Sequence, residues 1–290
     1  MRLNPFDTSK IDVGTTGGSG RSVGKAGGVG CLTIVIAAAG ALFFGVDPMQ
    51  TIGLVEGAQQ QAGSPQVAER SSPTDEQAIC SSNPYASETC AALTSLNQTW
   101  EQTFAQQGVG FRQPALRFVT SARFNTDCGP ASVGMGPFYC PANETIYIDT
   151  GFYDELAGMA GERGDFARLY VVAHEYGHHI QTITGISGQI RSAQNANPSQ
   201  ANALNVALEL QADCYAGAWA GDNRARLDPG DLQEGLRAAS AIGDDNLQRR
   251  AGRRINPESF THGTSEQRQR ALQLGLQNGD RACDGITQRG

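Results

Sequence analysis

Lysine is nearly missing from this 290-residue chain: Lys10 and Lys25 are the pair present, and every other basic residue is arginine. No Lys/Arg cluster is dense enough to form a nucleic-acid face, and the net charge is −7, from 22 basic and 29 acidic residues. Nucleic acid is therefore not an expected partner. No C-x-x-C spacing occurs among the seven cysteines, which argues against a cysteine-ligated zinc site. There is no internal repeat, and long hydrophobic runs are missing with one exception near the N-terminus. Histidine is scarce as well. The chain has four, and three of them crowd into one stretch, LYVVAHEYGHHIQ.

What that stretch holds is informative. Read as a helix, His174 and His178 lie four apart and share a face, one turn from each other. Two imidazoles so placed can fill two corners of a zinc tetrahedron, at metal–nitrogen distances of about 2.0–2.1 Å. Glu175 lies roughly 100° around the helix from His174, within reach of a metal-bound water. Together they form the H-E-x-x-H signature of a zinc hydrolase. The bland alternative is a buried amphipathic helix with satisfied core histidines.

A metal site needs a third ligand. A helix beginning at Pro198 and running to about Gly221 carries Glu209 and Asp213 four apart on one face, among Leu204, Val206, Ala207, Leu208, Leu210 and Ala212. Two carboxylates on so apolar a helix are costly unless something positive meets them. Glu209 is thus the candidate third ligand, with a water completing the set, and Asp213 is placed to accept the free ring N–H of a ligating histidine. One zinc ion is the cofactor expected. For the oxyanion donor the candidates are His262, in Thr261-His262-Gly263-Thr264-Ser265, and Tyr215, just past Asp213. His179 should face elsewhere, as a packing residue. Asp244 and Asp245 suggest a helix C-terminal turn ahead of a calcium site.

Around these motifs the chain divides by composition. Residues 1–28 are glycine-rich and polar and predict disorder. From Ala26 to Val46 run 21 residues without a charge. At about 1.5 Å per residue this suffices for one bilayer crossing, which predicts a transmembrane signal anchor over 29–46. Basic residues precede it and acidic ones follow, so the N-terminus is expected in the cytoplasm and the remainder outside it. A cleaved signal peptide and a buried core helix are the rival readings of the same run. Residues 47–76 read as a linker, and 77–286 as one domain.

The six cysteines downstream of the apolar run fit three disulfides in an oxidising compartment. Local loop closure favours Cys80–Cys90 and Cys128–Cys140, leaving Cys214–Cys283, among 15 possible connectivities. Helical spacing spans Pro84 to Gln107, Leu116–Arg123 and Thr145–Asp149 alternate as strands, and further helices are expected near 151–159, 165–185, 229–242 and 265–277. A few strands followed by several helices indicates an α+β domain, mostly helical with a small sheet. The strand Thr145–Asp149 is the expected edge for holding an extended substrate.

HEYGHHIQ, ELQADCYAGAWA, AIGDDNLQ and FTHGTSEQR, in this order, resemble the neutral zinc metallopeptidase family of bacterial membrane-anchored proteins, as does CGPASVGMGPFYCPANETIYID. The resemblance covers nearly the whole chain. It implies a zincin-like fold, a zinc-dependent peptidase activity on peptide or protein substrates, and site roles for His174, Glu175, His178 and Glu209. The competing expectation is a zinc-stabilised envelope scaffold that turns over nothing.

Overall fold

The computed structural model describes residues 1–17, 72–161 and 164–288. The expected transmembrane stretch 29–46 and most of the expected linker lie outside the described residues. Among those described, no helix is long and apolar enough to cross a membrane.

The chain does not begin as the disordered arm its composition predicts. Residues Val13–Thr16 form strand β1, paired parallel with β2 (Ala115–Val119) in the register Val13↔Leu116 to Thr16↔Val119. Ile11 and Val13 are fully buried. The Met1 ammonium sits 3.0 Å from Asp165 and 2.9 Å from Asp231. Glycine content masked a strand whose partner among the described residues lies about a hundred residues further on.

Two helices follow. α1 (Pro73–Cys80) is capped by Ser72, whose hydroxyl accepts from Asp75 N–H. α2 (Pro84–Gln107) starts with Asn83 as N-cap and Pro84 in the first turn, and stops at Gly108 in the left-handed conformation (φ 69°). These are the favoured start and stop residues, and the helix has the bounds its periodicity predicts. A hairpin, β3 (Arg123–Thr126) with β4 (Gly129–Ser132), precedes β5 (Phe138–Cys140) and β6 (Thr145–Ile148).

The four-stranded sheet runs β1-β2-β6-β5, with β5 antiparallel to β6 and the other pairs parallel. β6 is therefore interior, bonded on both sides, and its four residues are all buried. The expectation that Thr145–Asp149 is a free edge fails for that reason. Among the described residues the edge on this side is β5.

The remainder is helical: α3 (Phe152–Ala160), α4 (Asp165–Ile183), α5 (Ile186–Ala196), α6 (Ala201–Asp222), α7 (Asp231–Ala241), α8 (Asp244–Arg250), α9 (Ser265–Asn278) and the short α10 (Asp284–Thr287). α4 opens at Asp165, with Gly164 as its N-cap residue. α4 is buried almost throughout, between the sheet and α2 on one side and α6 on the other. α6 packs closely against α9. Side-chain carbon at Gly217 or Gly275 would collide with the backbone of the facing helix, at Leu272 and Cys214 respectively, so glycine sets this approach.

The three disulfides are Cys80–Cys90, Cys128–Cys140 and Cys214–Cys283. The first staples α1 to α2, the second ties the β3–β4 hairpin to β5, and the third joins α6 to the C-terminal turn. The architecture is α+β, mostly helical with a small sheet.

Candidate metal centre

The site forms where α4 and α6 cross. Gly177, between Glu175 and His178, makes the crossing close: a β-carbon there would lie 2.8 Å from the Ala212 Cα and 2.9 Å from its carbonyl oxygen. With that contact made, the imidazoles of α4 meet the carboxylate of α6. His174 Nε2 is 3.1 Å from Glu209 Oε2, and His178 Nε2 is 3.4 Å from Glu209 Oε1. All three side chains are buried.

A tetrahedral ion bonded at about 2.0–2.1 Å holds its ligand atoms roughly 3.3–3.4 Å apart. The two nitrogen–carboxylate separations, 3.1 and 3.4 Å, lie close to that spacing. The ring nitrogens agree with it too. His174 Nδ1 lies 2.8 Å from Asp213 Oδ1 and His178 Nδ1 lies 2.9 Å from Gln181 Oε1. Both partners are acceptors, so in the neutral rings that ligation requires each Nδ1 carries the proton and each Nε2 offers its lone pair on the Glu209 side. His174, His178 and Glu209 form one of two groups among the described residues whose donor atoms could hold a metal. The other, Asp165, Asp231 and Glu234, has two of its carboxylates engaged by the Met1 ammonium.

Glu175 Oε2 is buried and has no hydrogen-bond partner. A buried orphan oxygen costs on the order of 1–3 kcal/mol. Burial raises the Glu175 carboxyl above its ordinary range, with the nearby imidazoles opposing. A water shared with a bound ion would satisfy the oxygen, and the donor set therefore fits zinc.

Around the ligands lies a second layer that the sequence only half disclosed. Asp213 accepts from His174 Nδ1, from the Tyr170 hydroxyl at 2.6 Å, and from both arms of the Arg268 guanidinium at 2.8 and 2.9 Å. Burial alone would raise Asp213; the charge of Arg268 and the bond from His174 hold it at about 2. Arg268 is itself fully buried. Sequence reasoning passed over it, although it sits three and four residues before Ala271 and Leu272, on the buried face of α9. Gln181 was also missed. It accepts from His178 and donates to the Leu208 carbonyl at 2.7 Å and to Gln211 Oε1 at 3.1 Å, joining α4 to α6. Its signal is the i, i+3 spacing from His178.

The other sequence candidates separate. Asp244 opens α8 and does not close a helix: its Oδ2 accepts the backbone N–H of Thr261, His262 and Gly263, at 2.7, 2.7 and 3.0 Å. Its Oδ1 faces His262 Nδ1 at 3.1 Å. These donors use the carboxylate as the anchor of a loop, which removes the calcium reading. Gly263 lies against Val206 and Leu210, so the loop bearing His262 docks on the helix that bears Glu209. With Nδ1 engaged, Nε2 is the ring nitrogen left to His262 for other work.

Tyr215 packs edge-on against Trp100, with ring centroids 5.4 Å apart. It makes no hydrogen bond to the metal group, so the expected oxyanion role for Tyr215 loses its geometric basis. Six residues past Glu209, it has turned toward α2. His179 faces the sheet, as expected of a packing residue: Nε2 donates to the Arg112 carbonyl at 2.7 Å and Nδ1 meets the Tyr139 hydroxyl at 3.1 Å.

An H-E-x-x-H helix crossed by a glutamate-bearing helix, with each ligand oriented by a buried partner, defines a site of the zinc-hydrolase class. Comparison with known proteins names the group. A family model described as "Putative neutral zinc metallopeptidase" matches residues 6–286, and the chain belongs to that family. It is 42% identical over 270 residues to "Uncharacterized protein YpfJ" of Escherichia coli K12, covering 92% of this chain and 88% of that one. It is 43% identical over 189 residues to "Uncharacterized protein Rv2575" of Mycobacterium tuberculosis H37Rv, covering 60% and 63% respectively. No solved structure matches the chain.

Proposed function

We propose that the protein is a zinc-dependent peptidase acting outside the cytoplasm, with Glu175 as general base. The observation that carries this reading is the buried, unpartnered Glu175 oxygen beside a His174, His178 and Glu209 group whose ligand atoms lie within 4.8 Å of one another. A structural metal has no use for such an oxygen, whereas a hydrolase needs one.

His174, His178 and Glu209 would hold the ion. When bound, zinc supplies the positive charge that polarises a scissile carbonyl and acidifies a water. Glu175 takes the proton of the attacking water and returns it to the leaving amine. Asp213 and Gln181 keep the imidazoles in the tautomer that ligation requires. His262, oriented through Nδ1 by Asp244, is the donor to the oxyanion. The substrate is a peptide or protein. Three disulfides support an oxidising compartment.

The test is Glu175→Gln in the full chain. Bound zinc should stay at one ion per chain while cleavage of a denatured protein falls at least a thousandfold, about 4 kcal/mol of barrier. Equal cleavage by both proteins overturns the peptidase reading. No cleavage by the unsubstituted protein, with zinc retained, leaves the scaffold.

A further inference from the structure

β1 is built into the domain, and its hydrogen-bond partners among the described residues lie beyond residue 72. Leu116 N–H donates to the Asp12 carbonyl and Thr120 N–H to the Thr16 carbonyl, both at 2.8 Å. Val13 N–H donates to Glu76 Oε1 at 3.2 Å, and Asn97 Nδ2 to the Lys10 carbonyl at 2.7 Å. Arg117 pairs with Asp12 at 2.8 Å. Ile11 and Val13 are buried among the residues of the main core. The family match opens at residue 6, so the leading segment and the domain recur as one unit.

Paired strands lie about 4.8 Å apart, whereas the hydrocarbon core of a bilayer is about 30 Å thick. A strand cannot reach its partner from the opposite side. We infer that residues 1–17 and 72–288 occupy the same side of any membrane the chain meets. A single crossing by residues 29–46, with the N-terminus in the cytoplasm and the domain outside, is incompatible with that arrangement.

The experiment places one cysteine probe in each part of the full chain, with Cys31→Ser as background. Asn4→Cys and Gln106→Cys both replace exposed residues. Spheroplasts are treated with a membrane-impermeant maleimide before and after lysis. The expected result is a labelling ratio for the two probes near one under both conditions. Gln106→Cys labelled before lysis and Asn4→Cys only after, a change of tenfold or more in that ratio, overturns the inference. Labelling of both probes only after lysis keeps the same-side arrangement and overturns the extracytoplasmic placement instead. Amide exchange on the full chain in detergent gives a separate reading: residues 13–16 should be protected as residues 115–119 are. Free exchange at 13–16 overturns the inference whatever the labelling shows.

Discussion

His178 and His179 are neighbours on α4 and live under opposite rules. Toward α6 the helix presents His174, Glu175 and His178 to Glu209 and Asp213, a face crowded with ionisable groups. Toward the sheet it presents His179, held as a neutral ring by one donor and one acceptor, Tyr139 and the Arg112 carbonyl. Burial pushes His179 down to about 4. The same burial acts on His174 and His178, but there the carboxylates of Asp213 and Glu209 oppose it and raise both. One helix therefore separates a dry face that excludes charge from a face that collects it. In this stretch of α4 charge is concentrated where an ion can compensate it and kept off the His179 face.

The sharpest way to break this contrast is Glu209→Ala. It removes the acid that brings the imidazoles together, and metal content measured after dialysis should fall from one ion per chain to none. Asp213→Asn comes next. It leaves the Arg268 guanidinium buried without its counter-charge, at a cost of roughly 3–5 kcal/mol in denaturant unfolding. In the protein that remains folded, zinc affinity measured by chelator competition should weaken about 10–100-fold.

The quiet face predicts a pH effect of the opposite origin. His179 titrates lower in the folded chain, at about 4, than at its ordinary value of 6.5. Between those values the unfolded chain binds the extra proton, so stability rises with pH across the window and is lost as pH falls through it. The loss approaches about 1.4 kcal/mol per pH unit, to roughly 3 kcal/mol in all. His179→Gln should flatten that part of the unfolding profile. The smallest effect belongs to Tyr139→Phe, which removes the hydroxyl donated to His179: about 1 kcal/mol in thermal unfolding, with metal content unchanged.

How much of this was legible before folding depends on the distance over which each signal acts. The ligand pairs were readable because helical spacing alone puts His174 with His178 and Glu209 with Asp213. Their meeting was readable because two acids on an apolar helix demand a partner. Arg268 was not, since an arginine in the polar run SEQRQRALQ looks as solvated as Arg270 until α9 is laid on α6. Tyr215 misled because adjacency to Asp213 says nothing about direction: two residues further on, the side chain points to another neighbour. β1 was the least legible element. Its four residues, Val13-Gly14-Thr15-Thr16, stand in glycine-rich sequence, and parallel pairing with a distant strand leaves no local trace.

Cys214 follows Asp213 directly, and its bridge to Cys283 is wholly buried. A reductant reaches that sulfur pair only when α6 lifts away from its neighbours. An ion gripped by His174, His178 and Glu209 clamps the same helix from its other flank. Holding the ion and keeping the bridge intact are thus one mechanical problem: whatever loosens the first grip opens the second to attack, and a chelated protein surrenders its thiols sooner than a loaded one.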